Sequence, residues 1–438
     1  MSSLGEAIIH LGIDLFHQIR QSKKENIFYS PLSISSALAM TYLGAQENTA
    51  SQMQKGSPPA SCAWTSSGGW DEALQLPNNQ RGNNHNHHPW GYPSPDRDPT
   101  DPWGCRVHID RDSNELTFRH LKVERPGNVH HHFQKLLMEL KKSTDAYELS
   151  VANRLYGEKE FRFLQEYMDN VQKFYLASVE SADFKNAAEE SRKMINSWVE
   201  SQTNERIKDL FPKDSLDSST VLVLVNAVYF KGQWNQKFKE ENTVEEKFWL
   251  NKDESKPVQM MKQTNSFNFM SLEDVQAKIL EIPYKGSELS MMVLLPDEVD
   301  GLQELEDQLT AEKLIAWTSP QNMRKRQVDL YLPRFKVEES YDLVPTLQAL
   351  GMVDAFRDGV ADFSGMTGGR DLVVSKVFHK SFVEVTEEGT EAAAATDVEI
   401  IERAGRNSES FRCNHPFLFL IKHIKTNSIL FCGRVSSP

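Results

Sequence analysis

Histidine and cysteine are the side chains that most often serve as acid-base catalysts, nucleophiles or metal ligands. The chain of 438 residues has 13 histidines and four cysteines, and none of them stands in an H-E-x-x-H or C-x-x-C motif. The sequence also lacks a G-x-S-x-G nucleophile elbow and a G-x-x-x-x-G-K-[ST] phosphate loop. These residues therefore favour neither an enzyme nor a protein that binds a cofactor.

Several histidines and cysteines fall in a tract at 56–123 that shows no helical or strand periodicity. The tract holds four of the eight tryptophans and eight of the 19 prolines, a composition typical of a long exposed loop. Because no spacing within it matches a tetrahedral metal template, we interpret it as a disordered insertion and expect no metal. A metal site and a segment retained through incorrect splicing are the alternatives. The candidate ligands are Cys62, His85, His87, His88, Cys105 and His108.

Three consecutive histidines, His130, His131 and His132, occur in a helical pattern at 129–142. Successive residues of a helix point in different directions and cannot share one ligand. We expect all three on a solvated surface.

Composition excludes two classes of partner. With 49 basic and 62 acidic residues, the net charge of −13 is unsuited to nucleic acid, whose phosphates require a basic surface. No run of 18 apolar residues occurs, so we expect no membrane span. The N-terminal apolar residues have helical spacing and not that of a secretory signal. Four scattered cysteines and the lack of an N-x-[ST] acceptor suit a cytoplasmic protein.

Helical and strand patterns alternate along the chain without a repeat. The spacing predicts helices at the N-terminus, from Pro31, and over 129–142, 163–176 and 188–202. Short strands are predicted at 26–31 and 221–230, and β-hairpins at 278–296 and 415–435. The fold class predicted is α+β with large, mainly antiparallel sheets. Four serines close to the second helix, Ser30, Ser33, Ser35 and Ser36, indicate a buried polar cluster.

The segment EEGTEAAAATDVEIIERAGRN, at 387–407, joins an alanine-rich stretch to alternating acidic and aliphatic residues. In an extended conformation one face of 390–401 is small or apolar, and the other carries three acids. Such a segment is suited to entering a sheet, and its polar tip to proteolysis. A helix with its C-terminal cap is the alternative.

Six segments make the chain resemble the serpins, and within them the intracellular, ovalbumin-type branch. They are NIFYSPLSISSALAM, INSWVESQTNERIKDLF, LVLVNAVYFKGQW, LPRFKVEESYDL, FVEVTEEGTEAAAAT and HPFLFLI. The resemblance covers 1–55 and 127–438, and it is strongest to the squamous cell carcinoma antigens.

The resemblance implies a serpin fold of about nine helices around three mainly antiparallel sheets, with an exposed reactive-centre loop that inserts after cleavage. The whole chain, 1–438, is then a single serpin domain. The tract at 56–123 would be an insertion between the third and fourth helices, and 387–412 would be the hinge and the reactive-centre loop.

Residue roles follow from the same resemblance. Arg403 and Ala404 would flank the bond that a target protease attacks, with Arg406 as a second cleavage site. The hinge would comprise Gly389, Thr390, Glu391, Ala392, Ala393, Ala394, Ala395 and Thr396. Ser30, Ser33, Asn226 and His379 would form the shutter, a hydrogen-bonded cluster under the main sheet. Trp234, Arg334 and Glu387 would form the breach, where the loop first enters that sheet.

The function implied is that of a protease inhibitor acting as a suicide substrate, not of an enzyme. Arg403 favours a trypsin-like serine protease as the target, because the specificity pocket of such enzymes carries a carboxylate. The alternatives are an inhibitor of papain-like cysteine proteases and a non-inhibitory serpin. We expect a monomer whose partner is the target protease, with no nucleic acid, membrane or cofactor. A cytoplasmic location, with release in the absence of a signal peptide, is the corresponding expectation.

Overall fold

The computed structural model describes residues 3–55, 127–389 and 407–438. The insertion expected at 56–123 lies outside the described residues, together with its candidate metal ligands. So do the hinge residues from Thr390 to Thr396 and the expected cleavage sites Arg403, Ala404 and Arg406.

The predicted helices are all present, and they are joined by several shorter ones. The α-helices of the described residues are α1 (Ser3–Ser22), α2 (Pro31–Tyr42), α3 (Glu47–Lys55), α4 (Gly127–Leu140), α5 (Gln165–Tyr175), α6 (Phe184–Gln202), α7 (Leu302–Gln308), α8 (Ala311–Trp317), α9 (Val344–Ala349) and α10 (Ser364–Thr367). Single 3₁₀ turns occur at Glu240–Asn242, Lys285–Ser287 and Asp354–Phe356. None of the helices in the described parts of the chain is both long enough and apolar enough to cross a bilayer.

The strands are more numerous than the sequence patterns predicted. They are β1 (Ile27–Tyr29), β2 (Tyr147–Glu158), β3 (Ser178–Ala182), β4 (Leu222–Gly232), β5 (Val244–Trp249), β6 (Ser255–Leu272), β7 (Ala277–Pro283), β8 (Leu289–Pro296), β9 (Arg324–Pro333), β10 (Phe335–Asp342), β11 (Val374–Val385), β12 (Glu409–Arg412), β13 (Phe417–His423) and β14 (Ser428–Val435). Both predicted hairpins, β7–β8 and β13–β14, are antiparallel pairs.

The strands form two hydrogen-bonded sheets in the described residues, whereas three were expected. One sheet has five strands in the order β10-β11-β4-β2-β3, and the other has nine strands. The nine-stranded sheet is continuous because the 18-residue strand β6 pairs with β5 at its start, with β9 along its middle and with β7 at its end. This one long strand therefore joins two of the expected sheets. Three pairings, β2–β3, β4–β11 and β9–β12, are parallel, and the other pairings are antiparallel.

Strand β4 is apolar along most of its length because both of its faces are covered. Val223, Val225 and Tyr229 belong to a core that includes Phe184, Ile195 and Val199 of α6. The alternate residues Leu222, Leu224, Val228 and Phe230 belong to the main core, which also contains buried residues of α2. The side chain of Asn226 falls in this second set by its even position. The period of two thus places one polar residue of β4 toward α2.

One expectation about α4 is wrong. His131 and His132 are exposed, but His130 is buried, at 8% exposure, and its Nδ1 is 2.5 Å from the hydroxyl oxygen of Tyr175 in α5. Burial lowers the pKa of His130 to about 4. The α4–α5 contact supplies the hydrogen-bond partner that allows this histidine to be buried.

Candidate functional site

The five-stranded sheet has at its centre a parallel pair of strands, β4 and β11, which we call the seam. The pairing runs from Leu222 opposite Val374 to Lys231 opposite Glu384, with no strand between the two. Parallel strands that are neighbours in a sheet are joined by long connections. Here the connection from β4 to β11 spans most of the second half of the chain, so the two neighbouring strands are far apart in sequence.

A buried hydrogen-bond network crosses the seam. Asn226 and His379 are register partners, and the ring Nδ1 of His379 lies 2.5 Å from Oδ1 of Asn226. The Asn226 amide donates to the Ser33 hydroxyl at 2.6 Å. The Ser30 backbone N–H donates to Nε2 of His379 at 3.0 Å, and the Ser30 hydroxyl donates to the Leu430 carbonyl at 2.6 Å. The network therefore links both strands of the seam to the start of α2 and to β14.

The start of α2 is fixed locally by its sequence. Ser30 is the N-cap, and its side-chain oxygen accepts a hydrogen bond from the backbone N–H of Ser33 at 3.1 Å. Pro31 occupies the first turn, where its missing N–H leaves no carbonyl without a partner. The capped helix end holds both serines at the underside of the seam.

The protonation state of His379 follows from its contacts. Since Nε2 accepts from the Ser30 N–H, the ring proton lies on Nδ1 and is donated to Asn226. The side chain has 0% exposure, and burial lowers the pKa of His379 to about 3. The ring is thus neutral near pH 7, and the network carries no charge into the core.

At the end of β11 the chain is held against Trp234, which follows β4. The indole N–H donates to the Thr386 carbonyl at 2.8 Å, and the backbone N–H of Trp234 donates to the Glu388 carbonyl at 2.9 Å. The Trp234 ring is stacked on Tyr284, with centroids 4.6 Å apart. Trp234 also forms an isolated parallel bridge to Gly389. This rigid aromatic pair marks the point at which the described chain leaves the sheet.

Gly389 is required at this point by the closeness of the neighbouring backbone. A Cβ atom at this position would lie 2.6 Å from the carbonyl oxygen of Trp234 and 2.7 Å from the Cα of Lys237. Both contacts are far inside van der Waals distance and involve backbone atoms, which cannot rotate away. Only glycine fits between the end of β11 and the segment after Trp234.

Glu387 is a buried carboxylate with a strong partner. Its side chain is 7% exposed and accepts two hydrogen bonds from Arg334, from Nη2 at 2.5 Å and from Nε at 3.1 Å. The Thr243 hydroxyl donates to the same carboxylate at 2.8 Å. Burial would raise the pKa of Glu387, but the hydrogen bonds from Arg334 and Thr243 outweigh it and hold the pKa below its ordinary value. The ionised carboxylate therefore fixes the end of β11.

Comparison with known protein families identifies the family to which the chain belongs. The family model described as "Serpin (serine protease inhibitor)" matches residues 6–60 and 110–438. The chain belongs to the serpin family. The stretch that the family model leaves unmatched falls within the tract at 56–123, where sequence periodicity was lost.

Among curated relatives, this serpin is 57% identical to human Serpin B4 and 57% identical to human Serpin B3, each over 441 aligned residues and 100% of both chains. The resemblance to the squamous cell carcinoma antigens is thereby confirmed. Among solved structures, uncleaved ovalbumin is 37% identical with a TM-score of 0.80, over 100% of both chains. A loop-inserted structure of a cleaved ovalbumin mutant is 36% identical with a TM-score of 0.75, again over 100% of both chains. The predicted α+β serpin fold of the ovalbumin type is confirmed.

The structure brings the predicted site residues of this serpin into two groups. The four expected shutter residues share the network under the seam, and the three expected breach residues lie at the end of β11. Gly389 lies with the second group. The remaining hinge residues and the Arg403–Ala404 bond lie outside the described residues.

Two further residues of these groups were missed by sequence reasoning. Ser381 is fully buried, and its hydroxyl donates to the Phe28 carbonyl at 2.8 Å. It follows His379 by two positions, so the strand period could have placed both on one face. Thr243 gave no sequence signal, because its contact with Glu387 joins segments 144 residues apart.

Proposed function

We propose that this serpin inhibits proteases as a suicide substrate and that its loop enters the five-stranded sheet at the seam. The observation that carries the proposal is the direct parallel pairing of β4 and β11, with β11 leading through Glu387 and Gly389 into the segment at 390. A segment that follows β11 and folds back into the seam runs antiparallel to β11. Because β4 is parallel to β11, the new strand is antiparallel to β4 as well.

Insertion would therefore replace one parallel pairing by two antiparallel ones. The new strand gains backbone hydrogen bonds to both neighbouring strands, with successive residues bonding to alternate sides, and antiparallel pairing is slightly more stable per residue than parallel pairing. The segment 390–401 has the length required, since β11 has 12 residues and β4 has 11. This gain is the free energy that would drive the protease across the molecule before the acyl-enzyme hydrolyses.

The hinge composition supports entry of the loop. The run from Thr390 to Thr396 contains four alanines, two threonines and one glutamate. The alanine and threonine side chains are small enough to pass between neighbouring strands. The glycine at 389 already lies against the backbone beside Trp234. We infer that 387–412 acts as hinge and reactive-centre loop within a single serpin domain of 1–438.

The network under the seam would act as the shutter. The Asn226–His379 hydrogen bond spans the two strands that must separate, so it has to break or lengthen before a new strand enters. Because His379 is neutral, the separation does not leave a buried charge without a partner. The Ser30 N–H and the Ser33 hydroxyl, which already bond to His379 and Asn226, can remain their partners as the strands separate.

The bond that the protease attacks is proposed to be Arg403–Ala404. A guanidinium group pairs in bidentate fashion with the carboxylate of a trypsin-like specificity pocket. The proposed target class is therefore a trypsin-like serine protease. A mutant of ovalbumin, 36% identical to this chain, has been solved in cleaved, loop-inserted form, which supports the proposal that a cleaved loop can enter the sheet of this fold.

The proposal is tested by incubating the full chain with trypsin and boiling the mixture in SDS. We expect a covalent complex of serpin and protease that survives boiling. The Arg403→Glu variant should lose the complex, whereas the Arg406→Ala variant should keep it. Loss of the complex in Arg406→Ala and not in Arg403→Glu would show that the protease attacks the bond after Arg406 and not the bond after Arg403.

A hinge variant separates inhibition from simple cleavage. Thr390→Arg places a charged side chain in the segment that has to enter the sheet, so this variant should be cut by trypsin without forming a complex. If the unaltered chain is itself cleaved at Arg403 with no complex, it is a non-inhibitory serpin and the proposal fails.

A further inference from the structure

Three potential metal ligands that are far apart in sequence lie close together where α4 ends beside β8 and β13 of the nine-stranded sheet. Glu139 lies at the end of α4, Glu288 directly precedes β8, and His423 ends β13. One oxygen of each carboxylate and one ring nitrogen of the histidine lie within 4.8 Å of one another. The backbone N–H of Ile424 donates to the Glu288 carbonyl at 2.9 Å, which fixes the two turns relative to each other. None of these residues takes part in the proposed inhibitory mechanism.

His423 is buried, with 0% side-chain exposure, and its Nδ1 lies 2.8 Å from the Thr426 hydroxyl. That hydroxyl donates its own proton to Ser428 Oγ at 2.8 Å, so it accepts from Nδ1–H. The proton of the neutral ring is therefore on Nδ1, and Nε2 presents a lone pair. Among the described residues Nε2 has no hydrogen-bond partner.

The lone pair of Nε2 faces two negatively charged groups. Oε1 of Glu139 and Oε1 of Glu288 each lie 3.7 Å from it. With the ring proton on Nδ1, the neutral ring has no proton between Nε2 and the two carboxylates. Lys425 Nζ is 3.6 Å from Glu139, but its side chain is 74% exposed to solvent. Three acceptor atoms thus lie within 4.8 Å of one another, an arrangement that a cation would stabilise.

We propose that Glu139, Glu288 and His423 bind a divalent zinc ion. In a tetrahedral site with bond lengths of 2.0–2.2 Å, two ligand atoms are separated by roughly 3.4 Å. Both observed Nε2–Oε1 distances are within a few tenths of an ångström of that value. The two carboxylates are partly exposed, at 22% and 38%, so solvent can supply the fourth ligand. The Thr426 hydroxyl fixes the imidazole in the tautomer that a metal requires.

The donor set selects the metal. A neutral imidazole and two carboxylates suit Zn²⁺, whereas Mg²⁺ and Ca²⁺ prefer oxygen ligands alone. Because the ligands come from α4 and from two separate turns of the nine-stranded sheet, the ion would join these elements. A ligand that binds only the folded state raises its stability, so zinc should raise the melting temperature.

The test is a calorimetric titration of the full, untagged chain with ZnCl₂ after treatment with a chelator, together with thermal unfolding. We expect one zinc ion bound per chain, a higher melting temperature with zinc and no response to MgCl₂. Glu139→Gln/Glu288→Gln should weaken binding by at least about tenfold, since even changes to outer-shell partners cost roughly 10–100-fold. The charge-matched control Glu273→Gln/Glu298→Gln, at exposed positions, should bind as the unaltered chain does.

The histidines of the 56–123 tract are a competing source of zinc binding. His85→Ala/His87→Ala/His88→Ala should retain the proposed site. Unaltered affinity in Glu139→Gln/Glu288→Gln, loss of binding in the triple histidine variant, or no binding by the unaltered chain would each overturn the proposal. If the double variant does not fold, the single variant Glu139→Gln is titrated instead, with Co²⁺ as a second probe. The intense visible absorption of tetrahedral Co²⁺ should then appear with the unaltered chain and weaken in this variant.

Discussion

At the scale of single residues, Gly389 is a position where one added methyl group would meet backbone atoms that cannot rotate away. Replacing Gly389 with Ala places a Cβ 2.6 Å from a backbone oxygen and 2.7 Å from a backbone carbon. Such overpacking typically costs about 1–3 kcal/mol. We expect a lower midpoint of urea unfolding for the uncleaved protein.

The control for this variant is Gly369→Ala. A Cβ at Gly369 would meet only the Asp371 carboxylate, at 3.9 Å, an ordinary contact. Its unfolding midpoint should equal that of the unaltered chain. Equal unfolding midpoints for Gly389→Ala and Gly369→Ala would show that the backbone near Trp234 can shift to accommodate the added methyl group without loss of stability.

Two buried histidines make stability depend on pH. Burial lowers the pKa of His379 to about 3 and that of His130 to about 4, from an ordinary value of 6.5. Below pH 6.5 the unfolded chain therefore binds protons that the folded chain does not. Stability should fall as the pH drops from about 6.5 toward about 4, by at most about 1.4 kcal/mol per pH unit for each histidine.

The measurement is the free energy of urea unfolding at several pH values between about 7 and about 5. His130→Gln should show a shallower decrease than the unaltered chain, since one buried histidine with a lowered pKa no longer titrates. His132→Gln, at an exposed position of the same helix, should leave the slope unchanged. The same slope in all three proteins would contradict the buried, neutral state of His130.

At the scale of elements, α2 is connected to the seam through side chains and not only by apolar packing. Ser33→Ala removes the acceptor at 2.6 Å for the Asn226 amide, and a buried donor left without a partner costs about 1–3 kcal/mol. The seam should then open more readily. We expect a lower thermal midpoint and faster conversion to inserted or polymeric forms on warming. Native gel electrophoresis measures the rate of this conversion.

The same helix offers a matched control for this change. Ser35 is also buried, but its hydroxyl donates to the Pro31 carbonyl within α2. Ser35→Ala removes a serine hydroxyl of α2 without altering any contact with the seam. Equal rates of conversion for the two variants would show that the Ser33–Asn226 hydrogen bond does not hold the seam closed.

Elements with a strong period were predictable from the sequence, and the others were not. β4 was recognisable because nine of the ten residues at 221–230 are apolar, as in a strand covered on both faces. β6 was missed because its 18 residues alternate irregularly and pair with three different strands, which is a tertiary property. Helices such as α9 and α10, with six and four residues, are too short to show a helical period.

The candidate site was predictable in part. Four serines close to one helix start indicated a buried polar cluster, but residue types alone did not identify Asn226 and His379 as its partners across the seam. The positions of Trp234 and Arg334 came only from the family resemblance. The burial of His130 depends on Tyr175 of a neighbouring helix, a contact that no local pattern encodes.

At the scale of the whole molecule, the proposed mechanism requires that the uncleaved form is not the most stable one. β4 and β11 pair with each other in parallel, and the proposed mechanism requires that the segment at 390–401 stays out of the sheet as long as the loop is intact at each end. The nine-stranded sheet holds the chain again from Glu409, where β12 pairs with β9. In the proposed mechanism, cleavage within 390–406 would release one end of this connection and allow the segment to enter the sheet.

Cleavage at Arg403 should therefore raise the thermal midpoint of the protein. Two antiparallel ladders along a strand of about ten residues should add several kcal/mol, so we expect an increase of more than about 5 °C. The measurement is thermal unfolding by circular dichroism after limited trypsin digestion and removal of the protease. Thr390→Arg, cut at the same bond, is the control and should show no increase. An unchanged midpoint in the cleaved, otherwise unaltered chain would mean that no strand has been added, and the seam would then have no part in trapping a protease.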